Sequence, residues 1–84
     1  MTNNNETDNP PIDDRLHLAA EAGDIEAMAS LYLQGVDVNS RGNYGMTPLF
    51  YAVRKNKPDA VNFLLQRGAR INAQDDIGNE VGFI

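Results

Sequence analysis

The sequence repeats itself at a spacing of 33 residues, and no gap is needed to align the two copies. When residues 16–45 are laid over residues 49–78, seven positions carry the same residue in both copies. These positions are the pairs Leu16/Leu49, Ala19/Ala52, Ala27/Ala60, Leu31/Leu64, Gly35/Gly68, Asn39/Asn72 and Gly45/Gly78. A self-match at one fixed period of this size is typical of stacked repeats, in which each unit buries its apolar face against the next.

Each copy has the apolar spacing of two short helices. Apolar residues at positions i, i+3 and i+4 share one face of a helix and form an apolar stripe. Helices this short are unstable alone in water and must pack against each other and against the next unit. The stripes are Leu16/Ala19/Ala20 and Met28/Leu31/Tyr32 in the first copy, and Leu49/Ala52/Val53 and Val61/Leu64/Leu65 in the second.

The ends of these helices are marked by residues with capping preferences. Asp14 and Thr47 stand one residue before the first helix of each copy, and we predict that both side chains cap it. Asp24 is expected to cap the second helix of the first copy. Gly23 and Asn56, at equivalent positions, are residue types that accept the left-handed conformation in which such a helix ends.

The segments TPLFYAV (47–53) and VNFLLQRGARINAQD (61–75) resemble the ankyrin repeat. That family's pattern is a turn glycine, a TPLH-type helix start, a Leu-Leu pair and then Gly-Ala-x-x-Asn. The second copy follows this pattern from Gly45 to Asn72, and the first copy follows it from Leu16 to Asn39, with His17 at the helix-start histidine. The resemblance implies an all-α, ankyrin-type solenoid of helix-turn-helix units joined by β-hairpin-like turns.

We predict four segments along the chain. Residues 1–12 are polar and Asn-rich and are expected to be a disordered tail. Residues 13–42 are predicted to be repeat 1, which resembles an N-terminal capping repeat, and residues 43–75 to be repeat 2; we call them unit 1 and unit 2. Residues 76–84 are predicted to be a truncated third repeat, in which Val81, Phe83 and Ile84 either cap unit 2 or leave its face uncovered.

Residues that carry catalysis or bind metals are few. The sequence has no cysteine, and its one histidine, His17, stands in a helix start where a structural hydrogen bond is the expected role. Asp75, Asp76 and Glu80 are close together but lack the alternating spacing of a calcium-binding loop. We therefore predict no enzyme activity, no metal site and no cofactor.

The net charge of −5 hides a separation of acidic from basic residues. Residues 1–26 carry seven acids against Arg15 alone, and residues 41–70 carry six basic residues against Asp59 alone. Chance clustering on a solvated surface is one interpretation. The other is a basic belt that steers an acidic partner onto unit 2 or favours head-to-tail self-association.

The composition also bears on the class of partner and the compartment. Because the chain is acidic overall, nucleic acid is not expected as a partner. No apolar run is long enough to span a bilayer, and the N-terminal residues do not resemble a secretory signal. We expect a cytoplasmic protein with no membrane partner.

The resemblance implies that partners contact the concave side, which is formed by hairpin tips and short first helices. Position by position, it predicts that another protein contacts Asn43, Tyr44, Met46, Arg54, Lys55, Glu21, Asp76 and Ile77. Tyr44 and Met46 are large where a turn alone favours small polar residues, and Tyr and Arg often dominate binding energy. Tyr44 packing only on Ile77 of the next tip is the alternative.

These observations predict a non-catalytic protein–protein interaction module, a small adaptor or inhibitor whose partner the sequence does not name. The alternative is a self-associating structural module, or a fragment of a longer ankyrin array. Such a module would form a homodimer through its C-terminal end, at the uncovered face of unit 2.

Overall fold

The structure, a computed structural model, describes residues 13–81 and contains four helices in this range. Helices α1 and α2 belong to unit 1, and α3 and α4 belong to unit 2. Unit 2 begins with a short 3₁₀ turn, Asn43–Gly45, which precedes α3. The helices are α1 (Arg15–Ala22), α2 (Ile25–Leu33), α3 (Pro48–Arg54) and α4 (Pro58–Gln66). The predicted all-α class is confirmed, and β pairing within residues 13–81 is limited to one bridge between Gln74 and Glu80.

The core lies where the helix pairs of the two units meet. Helix α1 packs against both α2 and α3, and α3 packs against α4. Leu16, Met28, Leu49 and Leu64 are completely buried there, and each such side chain contributes roughly 1.5–3 kcal/mol through removal from water. Tyr32 departs from the predicted apolar stripe because its ring lies at the surface, edge-on to the ring of Phe63 at 6.4 Å between centroids.

Only one of the three predicted helix caps forms. Asp24 Oδ1 accepts the N–H of Ala27 at 3.1 Å, which confirms that cap. Asp14 and Thr47 hold the cap positions without a side-chain hydrogen bond to the helix, so the prediction is wrong for both. Asp14 has ψ 16° rather than the extended backbone that a cap requires. The Thr47 hydroxyl is instead buried and has no partner among residues 13–81.

The short first helices of both units stop in the left-handed conformation, as predicted. Gly23 has φ 69° and its repeat equivalent Asn56 has φ 55°. These residue types tolerate that backbone because one has no side chain and the other has a short polar one. Within residues 13–81, no helix has both the length and the apolarity needed to cross a bilayer.

The predicted segments at the two ends of the chain are described only in part. The predicted tail, residues 1–12, lies outside the described residues, and so do Phe83 and Ile84 of the predicted cap. Val81 of that cap is described and is buried.

Candidate functional site

Two hairpin-like turns carry most of the predicted site, one before α3 and one after α4. In the first hairpin (residues 42–46), the N–H of Gly42 donates to the carbonyl of Met46 at 2.7 Å. In the second hairpin (residues 75–79), the equivalent bond joins the N–H of Asp75 to the carbonyl of Asn79 at 2.9 Å. The two turns therefore close in the same way, one repeat apart.

The tips of the two hairpins are joined side by side. The N–H of Asp76 donates to the carbonyl of Tyr44 at 2.9 Å. Arg41 and Asp76 form an ion pair at 3.3 Å, in which both side chains are largely exposed. Such a pair contributes about 1 kcal/mol or less, so the backbone bond is the firmer link between the tips.

His17 holds the first hairpin in place from helix α1. Its Nε2 lies 3.0 Å from the carbonyl oxygens of both Ser40 and Met46, and because both are acceptors, Nε2 carries the proton. His17 is completely buried. A Cβ at Gly42 would come 3.1 Å from this nitrogen, so the glycine makes room for the ring. The expected structural hydrogen bonds of His17 are present.

Asp75 holds the second hairpin by a different chemistry. Its Oδ1 accepts the N–H groups of Asn79 at 2.8 Å and Ile77 at 3.1 Å. Burial raises the pKa of Asp75, but hydrogen bonds from Asn79, Ile77 and Gly78 outweigh it, and the pKa lies below the ordinary 3.8. The carboxylate is thus engaged by its own turn. Across residues 13–81, no three acidic or histidine side chains are gathered to hold a metal ion.

Asn39 fixes unit 2 against unit 1. Its Nδ2 donates to the carbonyl of Gly68 at 3.0 Å, and its Oδ1 accepts the N–H of Arg70 at 2.8 Å. Both partners belong to the turn that follows α4. The side chain therefore sets the spacing between the units, and with it the spacing between the two hairpins.

A groove of about 210 Å³ lies between the two hairpin tips. Tyr44 and Ile77 stand at its rim with 76% and 83% of their surface exposed. Met46 lines it from one side and is half-buried. The full lining is Tyr44, Met46, Asp75, Asp76, Ile77 and Asn79.

Tyr44 has a backbone conformation that its residue type rarely adopts. Its φ is 60° and its ψ is 19°, and among the non-glycine residues of 13–81 only Asn56 also has positive φ. For a bulky residue this left-handed conformation costs on the order of 1–2 kcal/mol. Since the ring is largely exposed, burial of the ring does not offset this cost.

Arg54 reaches the groove from the end of α3. Its Nη1 lies 3.3 Å from Sδ of Met46, and its guanidinium carbon lies 5.9 Å from the centre of the Tyr51 ring. These contacts orient the cation beside the apolar wall of the groove. Lys55, the next residue, is exposed at the same helix end.

The structure brings together part of the predicted site. Tyr44, Met46, Asp76 and Ile77 line one groove, and Arg54 contacts it through Met46. Asn43, Lys55 and Glu21 do not line the groove: Asn43 and Lys55 are exposed, and Glu21 is half-buried on α1.

One surface cluster was not expected from the sequence. The guanidinium of Arg67 lies 3.7 Å from the ring centre of Phe63 and 5.5 Å from that of Tyr32. Arg67 Nη1 also donates to the carbonyl of Phe63 at 3.3 Å. The i, i+4 spacing of Phe63 and Arg67 could have indicated this cation–π contact, but Tyr32 reaches it only because the units stack.

Comparison with known proteins places this architecture in a family. The family model described as ankyrin repeats (3 copies) matches residues 2–75. The NF-kappa-B inhibitor cactus of Drosophila melanogaster is 42% identical over 60 residues, which is 70% of this chain and 12% of that protein. The Arf-GAP with ANK repeat and PH domain-containing protein cnt-1 of Caenorhabditis elegans is 43% identical over 63 residues, 75% of this chain and 8% of that protein.

A mouse relative has the same extent of similarity. Ankyrin repeat, SAM and basic leucine zipper domain-containing protein 1 of Mus musculus is 40% identical over 58 residues, 69% of this chain and 12% of that protein. The chain spans about a tenth of the length of these relatives. The family match covers most of the chain, and the helix pairs and hairpins agree with it. The chain belongs to the ankyrin repeat family.

Proposed function

We propose that this chain is a non-catalytic adaptor or inhibitor that binds a partner protein through the concave side of unit 2. Ankyrin repeats are protein–protein interaction modules, which supports the general role. One relative, cactus, is an inhibitor by name, which supports an inhibitory mode of action. The proposed contact surface consists of Tyr44, Met46, Arg54, Lys55 and Ile77, with Asn43, Asp76 and Glu21 around it.

The observation that carries the proposal is the conformation of Tyr44. A strained, left-handed backbone under a large exposed ring lowers stability without contributing to the core. Backbone strain of this kind is concentrated at binding and catalytic sites. Tyrosine is also one of the residue types that most often dominate the energy of protein interfaces.

The chemistry of the surface suggests what the partner presents. Tyr44, Met46 and Ile77 form an apolar wall around a groove large enough for one side chain. Arg54 and Lys55 lie beside it as cations, and Arg54 is already oriented by Met46. We infer that the partner inserts an apolar side chain here and places acidic residues opposite Arg54 and Lys55.

The remaining predicted residues fit at the edge of such an interface. Glu21 occupies in unit 1 the position that Arg54 occupies in unit 2, so the charge changes sign along the concave side. A partner that is acidic opposite unit 2 would be repelled opposite Glu21 unless its own charge also changes. This alternation would select one orientation of the partner.

The test begins with the intact chain immobilised as bait and ends with a purified binding protein titrated by calorimetry. Arg54→Glu/Lys55→Glu should weaken that binding by at least roughly tenfold, because hot-spot cations are reversed. Arg15→Glu/Arg70→Glu is the matched control, since it changes the net charge equally at exposed positions outside the groove. Both double variants should keep the helical circular dichroism of the wild type. Equal binding by the two would refute the concave site.

A further inference from the structure

At each end of the helix stack, the residues equivalent to those in the contact between unit 1 and unit 2 are more exposed. Ala20 and Met28 in unit 1 are completely buried, and the helices that carry them pack against α3 and α4 of unit 2. Their repeat equivalents in unit 2, Val53 and Val61, are only half-buried. A concavity of about 300 Å³ lies there, lined by these valines together with Lys57 and Pro58. We call this surface the tail face.

Within residues 13–81, the opposite end of the stack, in unit 1, lacks the cover that unit 2 has. Tyr51 in unit 2 packs edge-on to His17 at 5.3 Å between ring centres, and Phe63 packs edge-on to Tyr32. The unit 1 equivalent of Tyr51 is Leu18, which is 51% exposed, and that of Phe63 is Ser30, which is also exposed. We call the surface of Leu18, Ser30 and Asp24 the head face.

The charges of the two units are opposite at three equivalent positions. Unit 1 carries an acid and unit 2 carries a base at Glu21/Arg54, Asp24/Lys57 and Asp37/Arg70. Within the chain, the aliphatic part of the Lys57 side chain lies across Gly23, the residue that precedes Asp24. Stacking a head face on a tail face would continue the alternation of acid and base without bringing like charges together.

We propose that a second copy of this chain docks its head face on the tail face, repeating the step that relates unit 1 to unit 2. The head face of the second copy then covers the tail face, with its Leu18 beside Phe50 as Tyr51 lies beside His17. Its Glu21, Asp24 and Asp37 lie next to Arg54, Lys57 and Arg70. Tail-to-tail pairing would instead set three bases against three bases. The contact is heterologous, so a dimer keeps one free head face and one free tail face, and assemblies can grow beyond a dimer.

Apart from Arg54 and Glu21, the residues of this docking surface lie outside the contact surface proposed for the partner, so the two proposals can fail independently. Leu18, Val61 and Pro58 do not line that groove. Variants at these positions should therefore leave partner binding unchanged while altering self-association. Arg54 belongs to both surfaces and is not used in this test.

The experiment is sedimentation velocity of the intact chain from about 1 μM to about 1 mM, the range in which weak contacts of this kind dissociate. The wild type should change from monomer to larger species, and salt at about 1 M should weaken the association by screening the charge pairs. Leu18→Glu blocks the head face and Val61→Glu blocks the tail face, so each variant alone should remain monomeric. Mixed together, they should form a dimer of one copy of each and nothing larger.

Several outcomes would overturn the proposal. A wild type that stays monomeric throughout would do so. Leu18→Glu chains that associate like the wild type would show that the head face is not used. Circular dichroism checks that each variant is folded. Pro58→Glu, at an exposed position in the first turn of α4, serves as a second tail-face variant that favours the helix.

Discussion

The two hairpins of this chain have the same backbone closure but are held by different side chains. In unit 1, His17 extends from α1 and bonds the carbonyls on either side of the first hairpin, and Gly42 leaves space for its ring. In unit 2, the equivalents are Phe50, which cannot hydrogen-bond, and Asp75, whose carboxylate bonds the N–H groups of the second hairpin. Each hairpin has one polar side chain that secures it, supplied by the helix in one case and by the turn in the other.

The comparison teaches that the helix residue and the turn residue of a hairpin vary together from one repeat to the next. When the helix residue is an imidazole, the turn residue must be small, and when it is a phenyl ring, the turn can supply its own hydrogen bonds. The hairpin tips then differ in composition without loss of the fold. This freedom is what allows Tyr44 to be placed at the first tip, and Asp76 and Ile77 at the second.

The largest expected loss of stability comes from truncating Leu64, a core leucine whose repeat equivalent in unit 1 is Leu31. Leu64 is completely buried, whereas its equivalent Leu31 is only half-buried. Leu64→Ala should lower the free energy of unfolding by roughly 2–5 kcal/mol, because it leaves a cavity in a closed core. Leu31→Ala should cost clearly less, and urea unfolding measures both. Equal losses would mean that the burial of the two positions does not differ in solution.

An exchange of the two hairpin chemistries tests the comparison itself. His17→Phe should cost roughly 1–3 kcal/mol, because two buried carbonyls lose their donor. Gly42→Asp in the same chain should restore part of that loss by giving the first hairpin the carboxylate that the second one has. Urea unfolding of the two singles and the double gives the coupling between the sites. If the change in unfolding free energy of the double variant equals the sum of the changes in the two single variants, the two chemistries are not interchangeable.

A smaller loss of stability is expected at the equivalent asparagines of the two units, Asn39 and Asn72. Asn39 bonds the backbone of Gly68 and Arg70 across the units, so Asn39→Ala should cost on the order of 1–2 kcal/mol. Asn72 is exposed and makes no side-chain hydrogen bond to the rest of residues 13–81. Asn72→Ala should change the midpoint of thermal unfolding by at most a degree or two. A comparable loss at both positions would contradict the assigned role of Asn39.

The smallest expected effect is a pH dependence of stability that arises from Asp75 in the second hairpin. Because the pKa of Asp75 is below its ordinary value in the folded state, its contribution to stability is present above about pH 4 and is lost as the pH falls through the lowered pKa. Asp75→Asn should therefore be less stable than the wild type at pH 7, and the difference should shrink in acid. Glu80→Gln is the control, since Glu80 is exposed and its side chain makes no hydrogen bond to the rest of residues 13–81. A constant difference from pH 7 to about pH 2 would rule out this role.

The helices, the left-handed residues that end α1 and α3 and the family were within reach of the sequence, because the period and the i, i+3, i+4 spacing are local properties. The recurrence of Asn39 and Asn72 predicts side chains that bond backbone in the turns linking the units, and Asn39 does so with Gly68 and Arg70. The cation–π cluster of Arg67 was out of reach, because Arg67 and Tyr32 meet only when the units stack. The predicted caps at Asp14 and Thr47 do not form, because backbone angle and burial override residue preference. The predicted site was partly assembled, since hairpin tips adjacent in a solenoid must share a groove.

The strain at Tyr44 could not be predicted, because residue preferences assign such a backbone to glycine or asparagine. Tyr44 also provides the most direct test of the account's central claim. The claim is that the strained tip of the first hairpin lowers the stability of the fold and serves binding. Tyr44→Asn suits the left-handed backbone and removes the ring. The account predicts that this variant gains roughly 0.5–1 kcal/mol of stability in urea unfolding and binds the partner at least tenfold more weakly. Unchanged binding, or a loss of stability, would contradict it.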